Sequence, residues 1–324
     1  MHRTFNALAL LAAACIACSS FAQAADFPDR PITIVVPFVP GGGTDILSRL
    51  VAQRMSSELK QTVVVENKPG AGGTVGGALV ANASPDGYTL YVASTATAMS
   101  AGLYKDLKFQ PIKDFAPVAL MGTMPFILVM SKNVPAKDLP EMLALARREP
   151  GSLTYGSAGF GSVNHVGMEL FNSMAGTDIR HIPYKGSSAA LVDVHGGRVS
   201  MMLDTVGSAV QYLKTDKSLI PVAVTSLDRS ALVPDLPTVS ELGPKGYELT
   251  VWYGLVAPKG TPLPVLEKLN IAVNRALENP ALRERYASLG IETARSTVES
   301  FGTLMRADEK KWTDVIVSAD IHLK

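Results

Sequence analysis

The stretch Pro37-Phe38-Val39-Pro40-Gly41-Gly42-Gly43-Thr44-Asp45 decides the fold. The apolar run before it, residues 32–36, reads as a buried strand, and Ile46-Leu47-Ser48-Arg49-Leu50-Val51 leads out of it as a helix. Strand, glycine turn and helix start together make an anion-binding device. Glycine lets the main chain turn without Cβ clashes and lets a ligand come close to the backbone. The first helical N–H groups have no intrahelical acceptor and point out of the helix end. A carboxylate or phosphate placed there gains hydrogen bonds and a dipole interaction of roughly 0.3–1 kcal/mol. A single turn of this kind reads equally well as a tight βα connection without a ligand. The reading moves toward a site because the chain builds the same kind of loop again.

Asn67-Lys68-Pro69-Gly70-Ala71-Gly72-Gly73-Thr74 follows a valine-rich strand at 62–66 and opens a helix over 74–83. A third strand, 88–93, ends in the polar Ser94-Thr95-Ala96-Thr97, expected as a loop. Further on, Gly156-Ser157-Ala158-Gly159-Phe160-Gly161-Ser162 follows a short strand and precedes a helix carrying Asn164, His165 and Glu169. Strands alternating with helices imply a parallel α/β sheet. Open parallel sheets bind ligands at the C-terminal ends of their strands, which puts Phe38, Val39, Thr95 and Phe160 around a pocket. The apolar runs 115–121 and 126–130, split by Gly122 and Pro125, break this rhythm and are expected as separate strands leaving one lobe for a second. Residues 199–203 form a strand that delivers Asp204, and 250–257 return the chain to the first lobe. Periodicity predicts long helices over 263–277 and 298–315.

Residues 1–25 read as a cleaved secretory signal peptide: His2 and Arg3, a short apolar run, then Ala22-Gln23-Ala24 as a small-x-small cleavage signal. Both cysteines, Cys15 and Cys18, lie inside it, so the mature chain has neither disulfides nor a thiol nucleophile. The whole chain carries a formal charge of +1, and losing Arg3 with the leader leaves it near neutral. No Lys/Arg run points to nucleic acid or an anionic membrane surface. Hydrophobic residues make up 47%, yet no later stretch is long and uncharged enough to span a bilayer. The expectation is an exported, periplasmic, globular monomer of two lobes.

The common chemical signatures fail. Val75 stands where a dinucleotide fingerprint needs its third glycine, and the 156–162 loop lacks the lysine of a phosphate loop. No Gly-x-Ser-x-Gly elbow surrounds Ser157 or Ser162. His165, His181, His195 and His322 do not share metal-ligand spacing on one helix, so neither a metal nor a cofactor is called for. Ser162 and His165, three apart at a helix start, read as a cap and a polar contact, with an exported serine hydrolase as the rival. Thr44 or Asp45 caps the helix after the first glycine turn, or Asp45 holds that turn open. Asp204 is either structural or at the pocket rim. Trp252 reads as core, whereas Tyr253 can reach the cleft.

Several motifs come in a characteristic order: Phe27-Pro28-Asp29-Arg30-Pro31-Ile32, Pro37-Phe38 with Gly41-Gly42-Gly43-Thr44-Asp45, Asn67 to Gly73, Tyr155-Gly156-Ser157-Ala158-Gly159 through His165, Pro183-Tyr184-Lys185-Gly186, Asp193 with Gly196-Gly197 and Asp204, and Gly254 through Pro262. In this order the chain resembles the Bug-type substrate-binding proteins of the tripartite tricarboxylate transporter family. The resemblance implies a type II, two-lobed periplasmic binding protein fold with two crossover strands and a ligand cleft between lobes. Residues 26–124 with 253–324 would form lobe 1, and 125–252 lobe 2. It implies a receptor, not an enzyme, that binds a small organic carboxylate (a di- or tricarboxylate or an aromatic acid) and delivers it to membrane permease subunits. A sensor feeding a membrane signalling partner is the alternative. By the same resemblance Gly42, Gly43, Thr44 and Asp45 match the carboxylate-binding turn. Ser157, Ala158, Gly159 and Ser162 match the loop facing it, with His165 expected among the ligand-binding residues beside them, and Asp204 matches an aspartate near the cleft. Phe38 and Thr95 complete the expected lining.

Overall fold

A computed structural model describes residues 27–213 and 218–321; the expected signal peptide lies outside them. β1 (Ile32–Val36) is apolar and almost wholly buried. It pairs in parallel with β2 (Val63–Asn67) on one side and β3 (Thr89–Ser94) on the other. Parallel neighbours need crossovers. These are α1 (Gly43–Leu59), then a 3₁₀ turn at Ala71–Gly73 leading into α2 (Thr74–Ala81). α3 (Thr95–Leu103) begins directly at the end of β3, where a loop was expected.

β4 (Phe115–Ser131) is one strand of 17 residues rather than the two expected. Its first part pairs antiparallel with β9 (Thr250–Pro258), from Phe115↔Pro258 to Pro125↔Thr250. Its second part takes new partners, β7 (Met201–Thr205) and β8 (Leu219–Val224). Register shifts at Pro117/Ala119 and Leu120/Gly122 absorb the twist of so long a strand. Pro125 ends the pairing with β9, and at Phe126 the strand joins β7, where the Phe126 N–H is taken by Thr225 Oγ1 at 2.8 Å. A proline, lacking a donor, is tolerated at such a handover. Gly122 is needed for another reason: a Cβ there would lie 2.9 Å from the Glu292 carbonyl of a segment bridged onto Thr123.

Beyond the handover, β5 (Thr154–Ser157) lies parallel to both β7 and β6 (Arg180–Pro183). α4 (Leu139–Arg148), α5 (Val163–Ala175), α6 (Ser187–His195) and α7 (Val206–Leu213) accompany them, followed by the short α8 (Val239–Leu242). The described strands run β2-β1-β3-β9-β4-β7-β5-β6, with β8 also on β4. α9 (Leu263–Glu278) and α10 (Pro280–Ser288) pack on the first half, and α11 (Val298–Ser318) closes the chain.

Two registers position the cleft. Ser94, the last residue of β3, lies opposite Tyr253, which pairs with Gly122; Thr205, the last of β7, lies opposite Phe126. The C-terminal edges of both parallel sheets therefore meet at one short span of β4. The loops after β1, β2, β5 and β6 open toward that span. α11 serves both halves: Phe301 and Met305 join a core with Tyr91 and Trp252, while Trp312 and Ile316 join one with Leu128, Met130 and Val166.

Candidate functional site

The first glycine turn is held from beneath. Asp45 is buried, and its carboxylate accepts the Gly41 N–H at 2.9 Å, Asn67 Nδ2 at 2.9 Å and Arg49 Nε at 3.0 Å. Asn67 closes β2 and also donates to the Phe38 carbonyl at 2.9 Å, so the second strand–glycine unit pins the first. Burial alone would raise the Asp45 pKa; the hydrogen bonds from Arg49, Gly41 and Asn67 outweigh it and hold the carboxyl below the ordinary aspartate value. Gly41, at φ +85°, takes the left-handed backbone that lets its N–H turn back onto Asp45.

Asp45 is thus the holder of the turn and not its cap, which corrects one of the two sequence readings. The N-cap is Gly42, in extended conformation, and no side chain bonds the helix end. The first intrahelical donor is Ile46 N–H, to the Gly42 carbonyl at 3.0 Å. The N–H groups of Gly43, Thr44 and Asp45 have no acceptor among the described residues. Gly42 and Gly43 are exposed, Thr44 and Phe38 are half-buried, and Val39 at the tip is 63% exposed. This is an open helix N-terminus, the kind of backbone end that can accept an anion.

The loop after β5 is built differently. Ser157 is buried; its hydroxyl accepts the Gly159 N–H at 3.0 Å and lies 2.6 Å from His181 Nε2. Ala158 N–H reaches Asn164 Oδ1 at 3.3 Å, and Gly161 N–H donates to His165 Nδ1 at 3.0 Å. Ser162 donates to the Gly159 carbonyl at 2.6 Å and lies 2.8 Å from Asn164 Oδ1. The expected Ser162–His165 contact does not form, because His165 Nδ1 serves the backbone of its own loop. Gly159, at φ +126°, makes the bend. His165 and His181 stack at 4.0 Å between ring centroids, and Phe160 stands edge-on to both, at 5.5 and 5.0 Å. Burial pushes the His165 pKa down to about 4, and burial with the neighbouring His165 does the same to His181.

Asp204 stands behind this loop, buried. Its carboxylate accepts its neighbour Thr205 N–H at 2.9 Å and the Tyr212 hydroxyl at 3.0 Å, and burial raises its pKa. Thr95 has no exposed surface, and its hydroxyl accepts Trp252 N–H at 3.1 Å. In this conformation it joins α3 to β9 rather than lining the cleft. The structure therefore groups Gly42, Gly43, Thr44, Asp45 and Phe38 on one side. Ser157, Ala158, Gly159, Ser162, His165 and Asp204 lie on the other. Asn67, Arg49 and His181 also belong to the arrangement; Arg49 reaches Asp45 through i,i+4 spacing within α1, a signal present in the sequence, whereas only the parallel registers bring Asn67 and His181 there.

Two lobes with facing C-terminal sheet edges, joined by a crossover strand and fringed by glycine loops, define a two-lobed periplasmic binding protein. The family described as "Tripartite tricarboxylate transporter family receptor" matches residues 47–321. A protein of Pseudomonas sp. (strain P51) encoded in the tcbD-tcbE intergenic region is 40% identical over 312 residues, covering 96% of this chain and 93% of that relative. The structure of the periplasmic binding protein BugD superposes with a TM-score of 0.74 at 33% identity, over 92% of this chain and all (100%) of that one. MatC of Rhodopseudomonas palustris with bound malate gives a TM-score of 0.74 at 37% identity, over 90% and 100%. The chain belongs to this family of Bug-type receptors, which are solute-binding proteins and not enzymes. The family's receptors are periplasmic, and no helix among the described residues is long and apolar enough to cross a membrane.

Proposed function

We propose that this receptor binds a small organic carboxylate between residues 26–124 with 253–324 as one lobe and 125–252 as the other. It would be exported by residues 1–25, act as a monomer, and deliver its cargo to the membrane permease subunits of a tripartite transporter. The observation that carries the reading is the uncapped, exposed start of α1, whose Gly43, Thr44 and Asp45 N–H groups lack an acceptor. Backbone donors bind a carboxylate without the desolvation cost of a buried cation. The loop at 158–162 meets the ligand from the second lobe, so closure is favoured only when a ligand spans both. Malate in the MatC relative supports a carboxylate as cargo.

Calorimetry and thermal stabilisation against mono-, di- and tricarboxylates and aromatic acids test this. Stabilisation by at least one carboxylate is expected. Indifference to all of them, with tight binding of a sugar, would overturn it.

A further inference from the structure

The two sides of the cleft offer a ligand different chemistry. On the first, three backbone donors are free. On the second, the loop's own groups take three of its donors: Ala158, Gly159 and Gly161 N–H go to Asn164, Ser157 and His165. What this loop presents instead is Phe160, 61% exposed, standing across two stacked imidazoles, with Tyr155 stacked on His181 at 4.9 Å beneath. Val39, on the opposite tip, is likewise apolar and exposed. Behind the aromatic cluster stand carboxylates. Glu169 accepts the Tyr155 hydroxyl, and Asp204 follows Leu203, whose carbonyl holds Asn164 Nδ2 at 3.3 Å. α5 also starts here without a side-chain cap; in its first turn Asn164 and His165 are buried, as Asp45 is in α1, and Val163 is half-buried, whereas Gly43 of α1 is exposed. Lys185 follows β6 on this edge, exposed, next to Tyr184, whose N–H donates to the Ser157 carbonyl at 3.1 Å.

We infer that the cargo is an aryl monocarboxylate: its carboxylate sits on the start of α1 and its ring lies against Phe160, which makes Phe160 the specificity-determining residue. The inference rests on the carboxylate reading above. A flat ring suits a surface of aromatic edges and faces. A second carboxylate in its place would lose water and meet the ring of Phe160, with the carboxyl groups of Asp204 and Glu169 behind it.

The test is calorimetry on the full mature chain with benzoate, cyclohexanecarboxylate, succinate, malate and adipate. The variants are Phe160→Ala, Lys185→Ala and Gly43→Pro. Benzoate is expected to bind at least 10-fold tighter than any of the three dicarboxylates. Phe160→Ala should weaken benzoate 5- to 10-fold while changing the dicarboxylates less than twofold. Phe160 is largely solvent-exposed, so this substitution should leave the unfolding temperature within about 2 °C. A dicarboxylate that outbinds benzoate and weakens with Lys185→Ala overturns the inference, as does an equal effect of Phe160→Ala on every ligand. In those cases an at least 10-fold loss of binding in Gly43→Pro leaves the carboxylate reading standing. Full binding in Gly43→Pro, or no carboxylate binding at all, overturns both.

Discussion

Gly43→Pro removes one N–H from the proposed carboxylate turn and almost nothing that the fold uses. Gly43 is the first residue of α1, a position where proline is favoured because its N–H has no helical partner. Gly42 before it is extended, at φ −76° and ψ 166°, which is the conformation a residue preceding proline adopts. A Cβ on Gly43 meets nothing within 4 Å. The fold should therefore gain slightly, by roughly 0.4–1 kcal/mol from the stiffer unfolded chain. The melting temperature should stay level or rise by about 1–3 °C. Binding should move the other way. A hydrogen bond to a charged group contributes about 1.5–3 kcal/mol, and about 1.4 kcal/mol is tenfold, so affinity for a carboxylate should fall by about 10- to 150-fold. Gly43→Ala, which keeps the N–H, should bind within about threefold of the parent. Calorimetry on the three proteins with one carboxylate reads this directly. Equal affinity in Gly43→Pro, with cooperative unfolding intact, refutes the backbone-donor account.

Three other expectations follow from the buried charges. Asp45→Ala leaves Arg49, Asn67 and the Gly41 N–H without their shared acceptor; it should cost about 1–3 kcal/mol in urea unfolding and weaken carboxylates at least tenfold. His165 and His181 both titrate near pH 4 in the fold against 6.5 ordinarily, so the unfolded chain binds more protons between those values. Stability they contribute is complete above pH 6.5 and is lost as pH falls toward 4, at up to about 2.7 kcal/mol per pH unit for the pair. In His181→Phe the slope between pH 6.5 and 4.5 should drop by about half; an unchanged slope contradicts the assignment. Asp308 runs the opposite way. Burial raises its pKa from 3.8 to about 6 although Trp252 Nε1 donates to it at 2.6 Å and Lys311 is near. Its charge therefore opposes folding as pH rises through that window. Asp308→Asn keeps an acceptor for Trp252 and should stabilise the protein at pH 7 by about 1–2 kcal/mol, with the gain gone at pH 4.

The sequence carried the alternation of strands and glycine loops, because each unit is local: a valine-rich run, a turn that needs glycine, a periodic helix. The order of the loops carried the fold and the family. Features made by residues far apart in the chain were not legible. Ser157 and His181 are separated by a whole helix, and only the parallel register of β5 and β6 brings them to hydrogen-bond distance. Gly122 and Pro125 looked like breaks in a strand. They are instead the places where β4 lets a neighbouring segment close in and changes partners. Thr95 looked like loop because polar residues follow β3; it starts α3 and turns its hydroxyl inward to Trp252, 157 residues away. Asp45 was visible as an acid at a helix start, but its real partners include Asn67 at the end of β2.

The central claim is that backbone donors at the start of α1 hold a carboxylate. The most direct measurement is a crystal structure of the protein with a carboxylate that stabilises it. The account predicts carboxylate oxygens about 2.7–3.2 Å from the Gly43 and Thr44 nitrogens. A carboxylate seated on Lys185 or another side-chain cation, with those nitrogens left to solvent, contradicts it.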